Sequence, residues 1–271
     1  MSSRLPSRLR PHRRTGLLPT LLPTLLPILL LFAPGGMSGC VTTTRQTQAA
    51  ARTNLGAAYL REGNAPAALQ VLGEAVHKDP RNWEAWDHLG LAYWASGDFG
   101  KSEEAFEHGV KLVPDKAEIH NNYGLMLMAQ GRNADAIVHF EVARKDLLYR
   151  RPSVVLTNLG SALYQEGRYD DALQVLDLAV QRAPDNCNAW FTRSLLFQTM
   201  DRNDAALTGF EQVIHICGTD NPGAYSHAGS LLIARGDREA GCTYLGTALD
   251  KAPAGSDLSE SVRKTRALEC P

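Results

Sequence analysis

"NLGAAYLREGN", running from Asn54 to Asn64, decides how this chain folds, because the chain repeats it. "HLGLAYWASGD" begins at His88, "NYGLMLMAQGR" at Asn122 and "NLGSALYQEGR" at Asn158. Looser copies follow, "TRSLLFQTMDR" from Thr192 and "HAGSLLIARGD" from His227. One small residue marks the same point in each copy: Gly56, Gly90, Gly124, Gly160, Ser194 and Gly229, spaced 34, 34, 36, 34 and 35 residues apart. Self-similarity at such a period marks a solenoid, whose units cannot bury their apolar faces alone and stack on their neighbours.

The rest of each unit keeps phase with that marker. Twelve residues beyond it stand Ala68, Ser102, Ala136, Ala172, Ala206 and Gly241, and seven further Ala75, Gly109, Ala143, Ala179, Val213 and Ala248. Small side chains at these points allow helix axes to approach to about 8 Å. Tyr59, Tyr93, Phe106, Phe140, Phe197 and Phe210 fill the spaces between. Gly63, Gly97, Gly131, Gly167 and Gly236 fall where a first helix must end, at the position that favours φ > 0. Pro80, Pro114, Pro184 and Pro253 fall just after a second helix, which proline cannot continue. This pattern resembles the tetratricopeptide repeat, a helix-turn-helix unit of about 34 residues. It predicts an all-α tetratricopeptide-repeat superhelix of six helix-turn-helix repeats over residues 49–253. A capping helix is expected over 254–271, with Leu258, Val262 and Leu268 as its apolar face.

Ahead of the repeats lies a different kind of sequence. Arg4, Arg8, Arg10, Arg13 and Arg14 precede the oily run "LLPTLLPTLLPILLLFAPGGMSG", Leu17 to Gly39. A spanning helix needs about 20 uninterrupted apolar residues, and Pro19, Pro23 and Pro27 each remove a helix hydrogen bond here. Basic start, apolar run and small residues form the layout of an export signal, expected over 1–39 and removed; Arg13-Arg14 leaves the twin-arginine route open beside the general one. Met37-Ser38-Gly39-Cys40 resembles a bacterial lipobox. That resemblance implies cleavage before Cys40 and a diacylglycerol on its sulfur, and Val41 after it implies sorting to the outer membrane, periplasmic face. Polar residues 40–48 read as the lipidated cysteine and a tether.

The whole chain holds 28 basic and 29 acidic residues. Removing the five leader arginines leaves an excess of about six acids, with no basic block, so nucleic acid is not an expected partner. No H-E-x-x-H, G-x-S-x-G or phosphate-cradling loop occurs, and the histidines from His77 to His227 are scattered along the repeats. No catalytic residue, metal, cofactor or small-molecule substrate is therefore expected; the chain reads as a binding protein, not an enzyme.

Four cysteines beyond Cys40 allow three pairings. Cys187 opens the first helix of repeat five and Cys217 closes its second, and an antiparallel hairpin brings those ends together. Cys242 lies early in the last second helix and Cys270 at the end of an antiparallel cap. Hairpin geometry thus predicts Cys187–Cys217 and Cys242–Cys270, with four buried free thiols as the alternative.

First helices line the concave side of such a stack. Residues one and four beyond each marker should face that groove, giving an apolar stripe of Leu60, Leu91, Trp94, Leu125 and Met128, with Leu91 and Leu125 equally suited to packing between repeats. Thr53, Asp87 and Asn121, three residues before the marker, belong to the same wall and supply no lysine to grip a peptide carboxylate. An apolar helix or extended segment is the expected ligand.

The slip before repeat four adds two residues in "KDLLYRRPSVVLTNLG", from Lys145. With "NNYG" at Asn121 to Gly124, the lipobox and six repeats, the chain resembles the type IV pilus pilotin lipoproteins, the PilF/PilW/Tgl group, its terminal cysteines pointing to the Tgl branch. The resemblance implies an outer-membrane lipoprotein that binds a secretin subunit and promotes its multimerisation. The alternative is a lipoprotein adaptor that recruits cell-wall enzymes.

Overall fold

The computed structural model describes residues 38–218 and 221–270, in which thirteen α-helices and no strand occur. Repeat one is α1 (Ser38–Arg61) and α2 (Ala65–Lys78); repeat two is α3 (Trp83–Ala95) and α4 (Phe99–Leu112). Repeat three is α5 (Ala117–Ala129) and α6 (Asn133–Ala143); repeat four is α7 (Pro152–Gln165) and α8 (Tyr169–Arg182). Repeat five is α9 (Cys187–Thr199) and α10 (Asn203–Cys217), and repeat six is α11 (Pro222–Arg235) and α12 (Arg238–Lys251). The cap is α13 (Asp257–Glu269).

Local chemistry sets the boundaries. Asn64, Asn82, Asp98, Asn186, Asn221 and Asp237 each accept a backbone N–H from the first turn of the helix they precede, satisfying a donor that the helix itself leaves free. The five glycines expected to end first helices have φ between 72° and 98°. Repeat five has no glycine there, and Asp201 takes the left-handed conformation instead, at φ 57°.

The marker glycines are explained by contact. A Cβ on Gly90 would lie 2.9 Å from the Phe106 ring, and one on Gly124 would lie 2.6 Å from that of Phe140. Phe106, Phe140 and Phe210 are fully buried, as are Leu72, Leu176 and Leu245 at the matching positions of the other repeats. In repeat five the marker is Ser194, and the room comes from the other helix: Gly209 sits against the Ser194 hydroxyl, which donates to Trp190 O at 2.7 Å. Gly209 is the compensating residue that the repeat pattern alone did not single out.

Within a repeat the helices form an antiparallel hairpin, and each second helix packs on the next first helix. First helices also pack on one another, α1 on α3, α3 on α5, α5 on α7 and α7 on α9, whereas no comparable pairing joins α2 to α4 or α4 to α6. The stack therefore closes toward its first helices, which line the inner wall.

Two disulfides are present, Cys187–Cys217 with Cα atoms 6.2 Å apart and Cys242–Cys270 at 5.7 Å. The cap differs in detail from expectation. Val262 is buried and Leu258 half-buried on α12 and α11, but Leu268 is exposed; Ser259 and Cys270 complete the inward face.

Residues 40–48, expected as a tether, are helical. They form the first turns of α1, where the Thr47 hydroxyl donates to Thr43 O at 2.8 Å and Lys78 Nζ donates to Gln48 Oε1 at 3.2 Å. The polar sequence that suggested a linker is that of a helix with few neighbours. The expected export signal, up to position 37, and the Cys40 side chain lie outside what the structure describes.

Candidate partner-binding groove

Leu60, Leu91, Trp94, Leu125 and Met128 are all half-buried on first helices. Leu60 rests on the core of repeats one and two, and the other four rest on the core that runs from repeat two into repeat five. Each has one side on packed neighbours and the other open. The helical step of three between Leu91 and Trp94, and between Leu125 and Met128, puts each pair on one face, so adjacent repeats join them into one stripe.

Asn121 does not belong to that open surface. It is only 5 % exposed, and its Oδ1 accepts from Asn158 Nδ2 at 2.8 Å. Thr53 and Asp87 are buried likewise. These positions form a polar ladder between successive first helices. Asn82 donates to the Thr53 hydroxyl at 3.2 Å, Asn122 donates to both Asp87 oxygens at 3.0 Å, and Asn186 donates to the Thr157 hydroxyl at 3.2 Å. The ladder fixes the register of neighbouring repeats beneath the stripe. The signal in the sequence was a polar residue three before the marker in every early repeat, which reads as groove or ladder with equal ease until burial is known.

Asp87 is the electrostatic centre of the wall. Its carboxyl is 1 % exposed and is raised to about 7, chiefly by desolvation, with the Asn122 hydrogen bond opposing and Glu118 and Glu84 adding to the rise. His88 Nδ1 lies 3.6 Å from Asp87 Oδ2, beyond hydrogen-bond reach, and burial lowers the imidazole pKa. Beyond repeat three the inner wall turns polar: the Ser161 hydroxyl donates to Thr157 O, Tyr164 pairs with Thr199, and Gln198 pairs with His227. The apolar stripe is thus continuous only through repeats one to three, with Leu195 and Ile233 as single half-buried apolar residues at the same positions further on.

The histidines are less scattered than they looked. His120 and His139 meet with their Nδ1 atoms 2.9 Å apart, under Tyr123, and His120 Nε2 reaches Pro114 O at 2.9 Å. With Nε2 donating to that carbonyl, His120 Nδ1 accepts and His139 Nδ1 donates, so the His120 ring is neutral. Burial holds both below the usual value, His139 at about 4. Among the described residues no group of three or more His, Cys, Asp or Glu is placed to hold a metal, and no helix is long and apolar enough to cross a membrane.

Profiles of the tetratricopeptide repeat match residues 53–107, 88–147 and 127–192, together just over half of the chain. The chain belongs to the tetratricopeptide-repeat family. Its fold is shared with two solved proteins of 21–22 % identity: PilW, a widely conserved type IV pilus biogenesis factor (TM-score 0.72, 79 % of this chain and 98 % of that one), and PilF of Pseudomonas aeruginosa (TM-score 0.72, 82 % and 99 %). In sequence, the type IV pilus assembly protein PilF of Pseudomonas aeruginosa is 29 % identical over 135 residues, covering 46 % of this chain and 54 % of PilF. A 59-residue segment is 44 % identical to the human protein O-mannosyl-transferase TMTC1, of which the chain spans 6 %.

Proposed function

We propose that this chain acts in type IV pilus biogenesis as an outer-membrane lipoprotein pilotin, anchored through a lipidated Cys40 and holding a secretin subunit in its groove. Within the pilotin group the C-terminal cysteine pairs favour the Tgl branch. The observation that carries the reading is the half-open stripe Leu60, Leu91, Trp94, Leu125 and Met128 on the inner wall of a six-repeat superhelix shaped like PilF and PilW.

The physical logic is direct. A secretin monomer carries unpaired strand edges until its ring closes, and such edges aggregate. An apolar trough shelters one segment, with Trp94 and Met128 as the anchoring contacts, Trp for its large rigid area and Met for its adaptability. A lipid anchor at Cys40 raises the local concentration of that trough at the membrane where the ring forms.

The test is the double substitution Trp94→Asp with Met128→Asp, read as SDS-resistant secretin multimer on a blot. Loss of the multimer with mutant protein at normal abundance is expected. Normal multimer would remove the groove from the mechanism.

A further inference from the structure

The two-residue slip before α7 builds a feature that the groove does not use. Between α6 and α7 the chain runs Arg144-Lys145-Asp146-Leu147-Leu148-Tyr149-Arg150-Arg151. Leu147 is 95 % exposed and Leu148 89 %, the two most exposed large apolar side chains among the described residues.

These leucines are held out by construction. Asp146 Oδ2 accepts the N–H of Ala117 at the start of α5, at 3.2 Å, and Asp146 Oδ1 accepts that of Leu148 at 3.0 Å. Tyr149 N–H donates to Asp146 O at 3.2 Å, and the Tyr149 ring packs half-buried against the central core. Asp146 and Tyr149 therefore stake the loop on both sides of the leucines. An exposed apolar tip staked in this way costs solubility unless something receives it.

Its charge says what. Arg144 is bound to Glu141, but Lys116, Lys145, Arg150 and Arg151 have no ion-pair partner among the described residues. The Asp146 carboxylate, kept ionised by its backbone N–H donors, Asp115 on the adjoining cleft of about 740 Å³ and Glu118 near Tyr149 offset part of this charge and leave the four cations in excess. A cationic tip on a chain with an acidic balance is complementary to an anionic surface.

The fold also points this tip in a useful direction. It lies on the edge where every odd-numbered helix begins. From that same edge α1, at 24 residues against 13 or 14 for the other first helices, projects further by about 15 Å at 1.5 Å per residue.

We propose that Leu147 and Leu148 form a membrane finger, which inserts into the interfacial layer of an anionic phospholipid bilayer while Lys145, Arg150 and Arg151 bind its headgroups. Insertion of paired apolar residues with cations at the headgroup level is how peripheral segments hold a bilayer, and neither contribution is stable alone. The finger would hold the superhelix edge-on to the membrane independently of the groove.

The test is flotation of the chain beginning at Val41, which keeps every contact described above and lacks the lipid site. Vesicles are phosphatidylethanolamine with or without phosphatidylglycerol. The parent chain is expected to float with the anionic vesicles and to be released by salt. Leu147→Asp with Leu148→Asp, and separately Arg150→Glu with Arg151→Glu, should each weaken binding at least about tenfold. Val138→Asp, an exposed apolar site on α6, should leave it unchanged, as should Trp94→Asp with Met128→Asp, which separates this result from the groove reading. A parent that does not float, or a leucine variant that floats equally well, overturns the finger. So does a leucine variant that floats normally but loses a protein partner, because the loop is then a protein dock.

Discussion

Asp201 carries the clearest single-residue prediction. It occupies the helix-ending position that five other repeats give to glycine, and a side chain in the left-handed region costs about 1 kcal/mol. Asp201→Gly should therefore raise stability by roughly 0.5–1 kcal/mol, seen as a higher denaturant midpoint with an unchanged slope. A lower midpoint would show that the Asp201 side chain contributes something its geometry does not reveal. Asp87 makes a second prediction, through pH. Burial raises its carboxyl to about 7, while in the unfolded chain it titrates near ~4. Between those values the folded chain holds a proton that the unfolded chain has released, so this group's contribution falls as pH rises through the window and stays low above it. His139 acts oppositely. Its folded value of about 4 lies below the unfolded one, so its contribution is present above ~6.5 and is lost as pH falls toward the folded value. Asp87→Asn should stabilise the protein at pH 8 by about 1–3 kcal/mol and by little at pH 4, unmasking the acid sensitivity of His139. Equal effects at both pH values in thermal melts would contradict the assignment.

At the scale of elements, the sequence made the helices legible because six in-phase copies fix each position many times over. Gly90 and Phe106 are explicable singly, but their recurrence as Gly124 and Phe140 made the pattern readable. The disulfides were legible for a related reason: once the hairpins are known, only one pairing joins neighbouring helix ends. Asn121 was misplaced because a polar residue on a first helix satisfies two readings, and only its burial and the hydrogen bond from Asn158 separate them. The helix over residues 40–48 was not legible, because a helix extending past its neighbours needs no apolar stripe. Leu147 and Leu148 were legible as a slip in spacing, but not as a staked apolar tip, since that depends on Asp146 reaching α5 from a distant point in sequence. The staples themselves are testable at this scale. The chain-entropy model gives each about 3–4 kcal/mol for loops of this size, with sequence separations of 30 and 28. Because each repeat touches only its neighbours, Cys242→Ser with Cys270→Ser should abolish hydrogen-exchange protection in α13 and weaken α12, leaving α3 to α6 unchanged. Uniform loss along the chain would mean that the repeats fold as one cooperative block.

For the whole molecule, the fold distributes three tasks over one scaffold. First helices present an apolar stripe over repeats one to three, the ladder of Thr53, Asp87, Asn121 and Thr157 locks those repeats in register beneath it, and covalent staples secure the less regular C-terminal units. On the proposed reading, the more polar inner wall beyond repeat three bounds a ligand to a segment of limited length. The most direct measurement is site-specific photo-crosslinking in cells, with a photoreactive amino acid placed at Trp94, at Met128 and, for comparison, at the outward-facing Val138. The groove assignment expects a secretin adduct from Trp94 and Met128 and none from Val138. Secretin adducts from Val138 alone, or no secretin adduct from either groove position while the chain still supports multimer formation, would contradict it.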